Sequence, residues 1–156
     1  MLRETMFADL DCVLSIEADT NNAQFLSPWL RDRHQQAIEN PDEAHWLIVD
    51  AGSDKPLGFV LLAGLTNSHG SVELRRIVVA DKGKGIGRAG LRIVTQRVFE
   101  EFGAHRLWLD VKEFNHRARR FYASEGFVEE GRLREALRGP DGYETLIVMS
   151  MLESEY

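Results

Sequence analysis

Two runs of residues in this chain combine type and spacing in ways that could do chemistry. The first is Lys82-Gly83-Lys84-Gly85-Ile86-Gly87-Arg88, which follows the strand-like run Val72–Ala80 and precedes an amphipathic stretch reaching about Phe102. Glycines at the entry to a helix leave backbone N–H groups free at the positive end of the helix dipole, which makes an anion site. A side chain there would hold a phosphate away from the backbone. Lys82, Lys84 and Arg88 add positive charge to a chain whose formal net charge is −6. This run points to a phosphate or pyrophosphate. The second run is Val111-x-x-x-Asn115-x-x-Ala118-x-x-Phe121-Tyr122-x-x-x-Gly126-Phe127. Asn115 is placed to cap a helix and to offer its amide to a ligand. Ala118 and Tyr122 lie four apart on one helical face, where the small Ala118 leaves room for a bound group. Phe121 reads as core.

A pyrophosphate could belong to a dinucleotide. Gly85-Ile86-Gly87-Arg88-Ala89-Gly90 matches G-x-G-x-x-G literally, and Asp110 follows Gly90 by the distance at which an acidic residue holds a ribose. An NAD-binding oxidoreductase is nonetheless disfavoured. The preceding strand, Val72-Glu73-Leu74-Arg75-Arg76-Ile77, is too charged to be buried on both faces. Beyond Asp110 no second set of strand–helix repeats completes a doubly wound sheet. The G-x-x-x-x-G-K-[ST] pattern of a P-loop is absent.

The elements that must position these runs follow from periodicity and turn residues. Apolar residues at Leu10, Val13, Leu14 and Ile16 predict a short helix from Phe7 to about Glu17. Ser27-Pro28-Trp29 predicts a helix start with Ser27 as N-cap, and Asn40-Pro41 its end. Ala44–Asp50 and Leu57–Leu65 read as a hairpin, followed by a strand over Val72–Ala80. On that strand, simple alternation puts Glu73 on one face with Arg75, Ile77 and Val79. The helix after the glycines ends at Gly103, a strand runs from His105 to Val111, and a short helix from Asn115 to about Glu125. Two final strands, about Val128–Arg138 and Tyr143–Leu152, are joined by Gly139-Pro140-Asp141-Gly142. A short strand before the first helix is also compatible. The expected fold is α/β (α+β): a mixed, mainly antiparallel sheet of six to seven strands flanked by about four helices, with one parallel crossover from Val72 to Val111.

Length and composition set the bounds. The chain of 156 residues, 44% apolar and 28% charged, fits a single globular domain over residues 1–156. No apolar run is long enough to cross a membrane, and the N-terminus lacks a signal-peptide core. The acidic balance argues against nucleic acid as a partner and favours a cationic one. A single cysteine, Cys12, forms no intrachain disulfide and fits the cytoplasm. Cys12 reads as a buried apolar residue, and the five histidines show no metal-ligand spacing, so no metal is expected.

Together the two runs resemble the GNAT N-acetyltransferase superfamily. Lys82-Gly83-Lys84-Gly85-Ile86-Gly87 is similar to its [RQ]-x-x-G-x-[GA] loop, with Lys82 where Arg or Gln is usual and a shorter lead-in at Ala80-Asp81. The likeness covers about residues 44 to 152 and is similar to the spermidine and ribosomal-protein acetyltransferase branch. The resemblance implies acetyl-CoA as co-substrate, bound by Val78, Val79, Lys82, Gly83, Lys84, Gly85, Ile86, Gly87, Arg88, Asn115, Ala118 and Tyr122. It implies acetyl transfer to a primary amine of a small molecule or a protein, with backbone N–H groups at Val78 or Val79 facing the oxyanion. Tyr122 would protonate the departing sulfur. Since alkyl ammonium groups have pKa values near ~10, a base is needed. Glu73 is the candidate, with pairing to a neighbouring arginine as its other reading; Glu17, Asp42 and Glu43 are alternatives. A non-catalytic acyl-CoA sensor on the same fold is the competing function. A homodimer through a sheet edge or the last hairpin is compatible with this reading.

Overall fold

The computed structural model describes residues 1–156. Its strands are β1 (Leu2–Glu4), β2 (Glu43–Val49), β3 (Pro56–Ala63), β4 (Ser71–Val79), β5 (Arg106–Lys112), β6 (Val128–Gly139) and β7 (Gly142–Leu152). Its α-helices are α1 (Leu10–Ala18), α2 (Thr20–Ala23), α3 (Arg31–Glu39), α4 (Ile86–Gln96) and α5 (His116–Ser124). The strands form one mixed seven-stranded sheet in the order β1-β2-β3-β4-β5-β7-β6, with β4–β5 its parallel pair. No helix is long and apolar enough to cross a membrane.

Two apolar layers hold the sheet. On one face Leu91, Val94 and Val98 from α4 and its extension pack with Trp46, Val60, Leu62, Leu74, Leu107 and Met149. On the other, Val13 and Ile16 of α1 pack with Leu47, Phe59, Leu61 and Val78. Strands β2 and β3 are therefore buried on both sides, which explains their near-continuous apolar sequences. Gly90 serves this packing, since a Cβ there would lie 2.8 Å from Ile48 Cδ1. The third glycine of the literal dinucleotide pattern is thus a helix–sheet contact in this fold.

Three local expectations are corrected. The helix expected from Ser27 begins at Arg31 instead. Residues 27–30 are tied up by tertiary bonds: the Ser27 carbonyl accepts from Arg76, and the Trp29 N–H donates to Glu17 Oε2 at 3.1 Å. A one-turn α2 stands between the first two expected helices, capped by the Asp19 side chain on the Asn21 N–H at 2.8 Å. Finally, β4 does not alternate simply. Its register with β3 slips where Leu61 pairs Arg76 and Leu62 pairs Leu74, leaving Arg75 as the extra residue of a bulge. The phase reverses across it. Val72 and Leu74 share the α4-side layer with Ile77 and Val79, while Val78 faces the α1 side. Glu73 therefore lies on the face opposite Ile77 and Val79.

The bulge also bends β4 away from β5. The two pair only at Ser71–Arg106, Val72–Leu107 and Glu73–Trp108. Beyond Glu73 the strands part, and the sheet opens into a wedge.

Candidate active site

The wedge is a cleft of about 830 Å³. The residues expected to act together converge on it: Glu73, Val78, Val79, Lys82, Gly83, Gly85, Ile86, Gly87, Arg88, Asn115, Ala118 and Tyr122 all line it. Lys84 does not; its ammonium sits outside, 2.9 Å from Asp81 and open to solvent.

One side of the cleft is built from glycines and backbone. Gly83 and Gly85 have φ of +87° and +77°, the left-handed region that β-carbons disfavour, and no atom lies within 4 Å of where their side chains would be. Gly85 is the N-cap of α4, whose first-turn N–H groups open onto the cleft. The Ala80 N–H is committed to the Leu57 carbonyl, so strand alternation turns the Val79 N–H and C=O toward the opening. The Val79 carbonyl there accepts from Asn22 Nδ2 at 3.1 Å. Arg88 is drawn toward the end of α5, with Nε 2.6 Å from Glu125 Oε1, and Lys82 donates to the Asn21 carbonyl. Across the opening, Asn115 caps α5, its Oδ1 accepting from the Ala118 N–H at 3.2 Å. Its amide N–H₂ stays available to a ligand.

The other side is built from charged side chains. Arg76 reaches under the 24–30 segment, contacts Glu17 and donates to the Ser27 carbonyl, and Trp29 lies between the guanidinium groups of Arg33 and Arg76, 4.0 and 4.6 Å from its ring centre. Glu17 is buried and continues into a polar row: His34 Nε2 is 3.3 Å from its Oε2, His34 Nδ1 is 3.0 Å from His45 Nε2, and His45 Nδ1 is 2.9 Å from Thr5 Oγ1. Burial lowers His34 to about 4 and His45 to about 3, so both are neutral near pH 7. Burial also lowers Arg76 to about 10. None of this row was visible as spacing, since its four members come from four separate segments.

Glu73 is not free. Its Oε2 lies 2.9 Å from Arg75 Nη2, and Arg75 also bonds Glu43, whose other partner is Arg33. The residue that sequence reasoning left without a catalytic role is Asp110. It lines the cleft, is open to solvent there and forms no ion pair with any side chain. The protein mass around it, and then the Glu73 carboxylate, push its carboxyl up. Tyr122 borders the same space; burial, and then the Asp110 charge, push its phenol up, so it holds its proton near pH 7. A signal for Asp110 existed in the sequence, a carboxylate inside an apolar strand, but it was absorbed by the dinucleotide spacing.

An aromatic bridge spans the cleft. Phe25, from the segment after α2, meets Phe114, from the turn before α5, with ring centres 6.1 Å apart. Lys82 and Lys112 lie over the two rings at 5.5 and 5.7 Å.

The chain is 27% identical over 147 residues to a spermidine N(1)-acetyltransferase of Vibrio cholerae, spanning 87% of this chain and 84% of that one. A crystal structure of the Vibrio cholerae spermidine N-acetyltransferase in complex with CoA and spermine superposes with a TM-score of 0.89 at 25% identity, covering 100% of this chain and 96% of the other. A chimera of the Vibrio cholerae and human enzymes gives 0.90 at 26% identity with the same coverage. The model of the acetyltransferase (GNAT) family matches residues 10–127, which take in every wall of the cleft except the final hairpin. An enzyme of the acetyl-CoA-dependent N-acyltransferase class is what this fold and cleft build, and the chain belongs to the acetyltransferase (GNAT) family.

Proposed function

We propose that the protein transfers the acetyl group of acetyl-CoA to a primary amine, with Asp110 as general base and Tyr122 as general acid. The observation that carries this reading is their common position where β4 leaves β5: an unpaired carboxylate with a raised pKa beside a phenol that keeps its proton. Acetyl-CoA supplies an activated thioester carbonyl. The α4 N-terminus and the glycines fit its pyrophosphate, and Asn115 and Ala118 fit its arm. The amine nitrogen bonds the carbonyl carbon as the carbon–sulfur bond breaks. Asp110 receives the proton lost by nitrogen and Tyr122 gives one to sulfur, so charge balances over the cycle once the two groups exchange a proton with solvent. The Val79 N–H is placed to donate to the carbonyl oxygen. An ion-paired Glu73 is a poorer base, because the oxygen that would take the proton is already engaged by Arg75.

The pH dependence of kcat/KM tests the assignment. A base must be unprotonated, so the rate falls as pH drops through the Asp110 carboxyl, which lies above the ordinary carboxylate range. Asp110→Asn is expected to lower turnover on the order of 10²-fold and abolish that acidic limb, while Glu73→Gln keeps it. Tyr122→Phe is expected to lower turnover by a similar order with acetyl-CoA affinity within about two-fold of the parent. A limb that survives in Asp110→Asn and disappears in Glu73→Gln returns the role to Glu73.

A further inference from the structure

Acceptor choice is decided by which charges in the cleft remain unmatched. Most carboxylates on the arginine side are already matched. Glu73 and Glu43 share Arg75, Glu43 also holds Arg33, Glu17 holds Arg76, and Glu144 lies 2.9 Å from Lys112. Asp110 is the carboxylate of the cleft that no cation satisfies. The cluster Arg33, Arg75, Glu43, Glu73 and Asp110 thus holds two positive and three negative charges, an excess of one.

A second cavity adjoins the first on this face, and the two share Glu73 and Arg75 as their common wall. Its own carboxylate is Asp42, which accepts from the Gly64 N–H at 3.2 Å and from the Thr66 N–H and hydroxyl at 2.9 and 2.6 Å. An extended polycation seated with one amine at Asp110 would need a second carboxylate further out. The route toward Asp42 runs past the Arg75 guanidinium, which is locked between Glu73 and Glu43. A second ammonium on that route finds the Glu73 and Glu43 carboxylates already engaged by Arg75 and gains no counter-charge from them, and a desolvated cation without a counter-charge is selected against.

We infer that Arg75 determines acceptor specificity by restricting the site to an amine that carries one positive charge. This rests on the acetyl-transfer reading and narrows its substrate class. It also sets the chain apart from the spermidine enzymes it is similar to, since spermidine carries several ammonium groups. The bulge is what puts Arg75 there: as the uncounted residue of β4, its side chain reaches both Glu73 and Glu43.

The test compares spermidine with nonylamine, a monoamine of the same chain length. Affinity is read by calorimetry on the CoA-bound protein, and kcat/KM with acetyl-CoA by thiol release. The parent protein is expected to favour nonylamine. Arg75→Gln, which releases Glu73 and Glu43, is expected to shift the ratio toward spermidine by at least about ten-fold, while Arg75→Lys, which keeps the charge, retains the parental order. A gain of polyamine preference is something a merely folding role for Arg75 would not produce. The parental ratio stands as evidence even if the glutamine variant does not fold. A parent protein that favours spermidine about ten-fold or more overturns the inference and leaves acetyl transfer intact. Failure of acetyl-CoA itself to bind removes the transfer reading, and this inference with it.

Discussion

The glycine side of the cleft is made of backbone amides and small residues, with its charges at the solvent edge. The arginine side is made of long charged side chains, buried or half-buried and tied to one another. The first arrangement suits a ligand whose shape never varies: a pyrophosphate needs N–H groups and room, and a loop of a few residues supplies both. The second arrangement suits a ligand that differs between relatives, because exchanging one arginine or glutamate changes which charges are matched without disturbing the sheet. On the proposed reading, recognition of the donor is local in this chain and recognition of the acceptor is tertiary.

The sharpest way to break that contrast is at Glu17. It is 2% exposed and holds Arg76, His34 and the Trp29 N–H together. Glu17→Ala leaves a buried guanidinium without a counter-charge, and the expected loss is about 3–5 kcal/mol, read from urea denaturation. A loss under about 1 kcal/mol would mean that the arginine side does not depend on its buried network.

A smaller effect is expected from pH. His34 and His45 fold as neutral rings with pKa values of about 4 and about 3, below the ordinary 6.5. The unfolded chain therefore binds their protons first. Their contribution to stability is present above about pH 6.5 and is lost as pH falls toward about 4 for His34 and about 3 for His45. Denaturation midpoints at a series of pH values should decline through that window, and His45→Gln should flatten the decline. An unchanged slope in His45→Gln would remove the histidine pair from the acid sensitivity.

The smallest effect is expected on the glycine side, at Lys84. Its ammonium is exposed, paired with Asp81 and outside the cleft. Lys84→Ala should change acetyl-CoA affinity by less than about two-fold, read calorimetrically. A ten-fold loss would show that side-chain charge, and not backbone, holds the donor.

The same contrast explains what could be read in advance. The glycine loop and the Asn115–Tyr122 helix are contiguous in sequence and governed by local rules of capping and φ, so their residues were legible, and the sheet followed from apolar runs and turns. The Lys84 charge, read without its neighbour Asp81, looks available, whereas its ammonium is paired outside the cleft. The start of α3 was misread because Ser27-Pro28 is a good local helix signal that loses to two long-range bonds, from Arg76 and to Glu17. The Glu17–His34–His45–Thr5 row and the meeting of Asp110 with Tyr122 depend on contacts between distant segments, which no local pattern encodes. The face of Glu73 was misjudged because a bulge leaves no mark in a run such as Glu-Leu-Arg-Arg-Ile.

That bulge makes β4 a miscounted strand, and the miscount is what holds the wedge open. Deleting Arg75 would restore even counting along Leu74, Arg76 and Ile77. Arg76 would stay on the α1 side and Ile77 and Val79 beneath α4, each facing as it does now, but the bend that parts β4 from β5 would straighten and the arginine between Glu73 and Glu43 would be lost. A one-codon deletion at this position would therefore close the wedge while every remaining residue kept its face, whereas insertions in the turn 50–55 would leave the wedge untouched. Length variation among related chains should accordingly be common in their loops and absent from this strand.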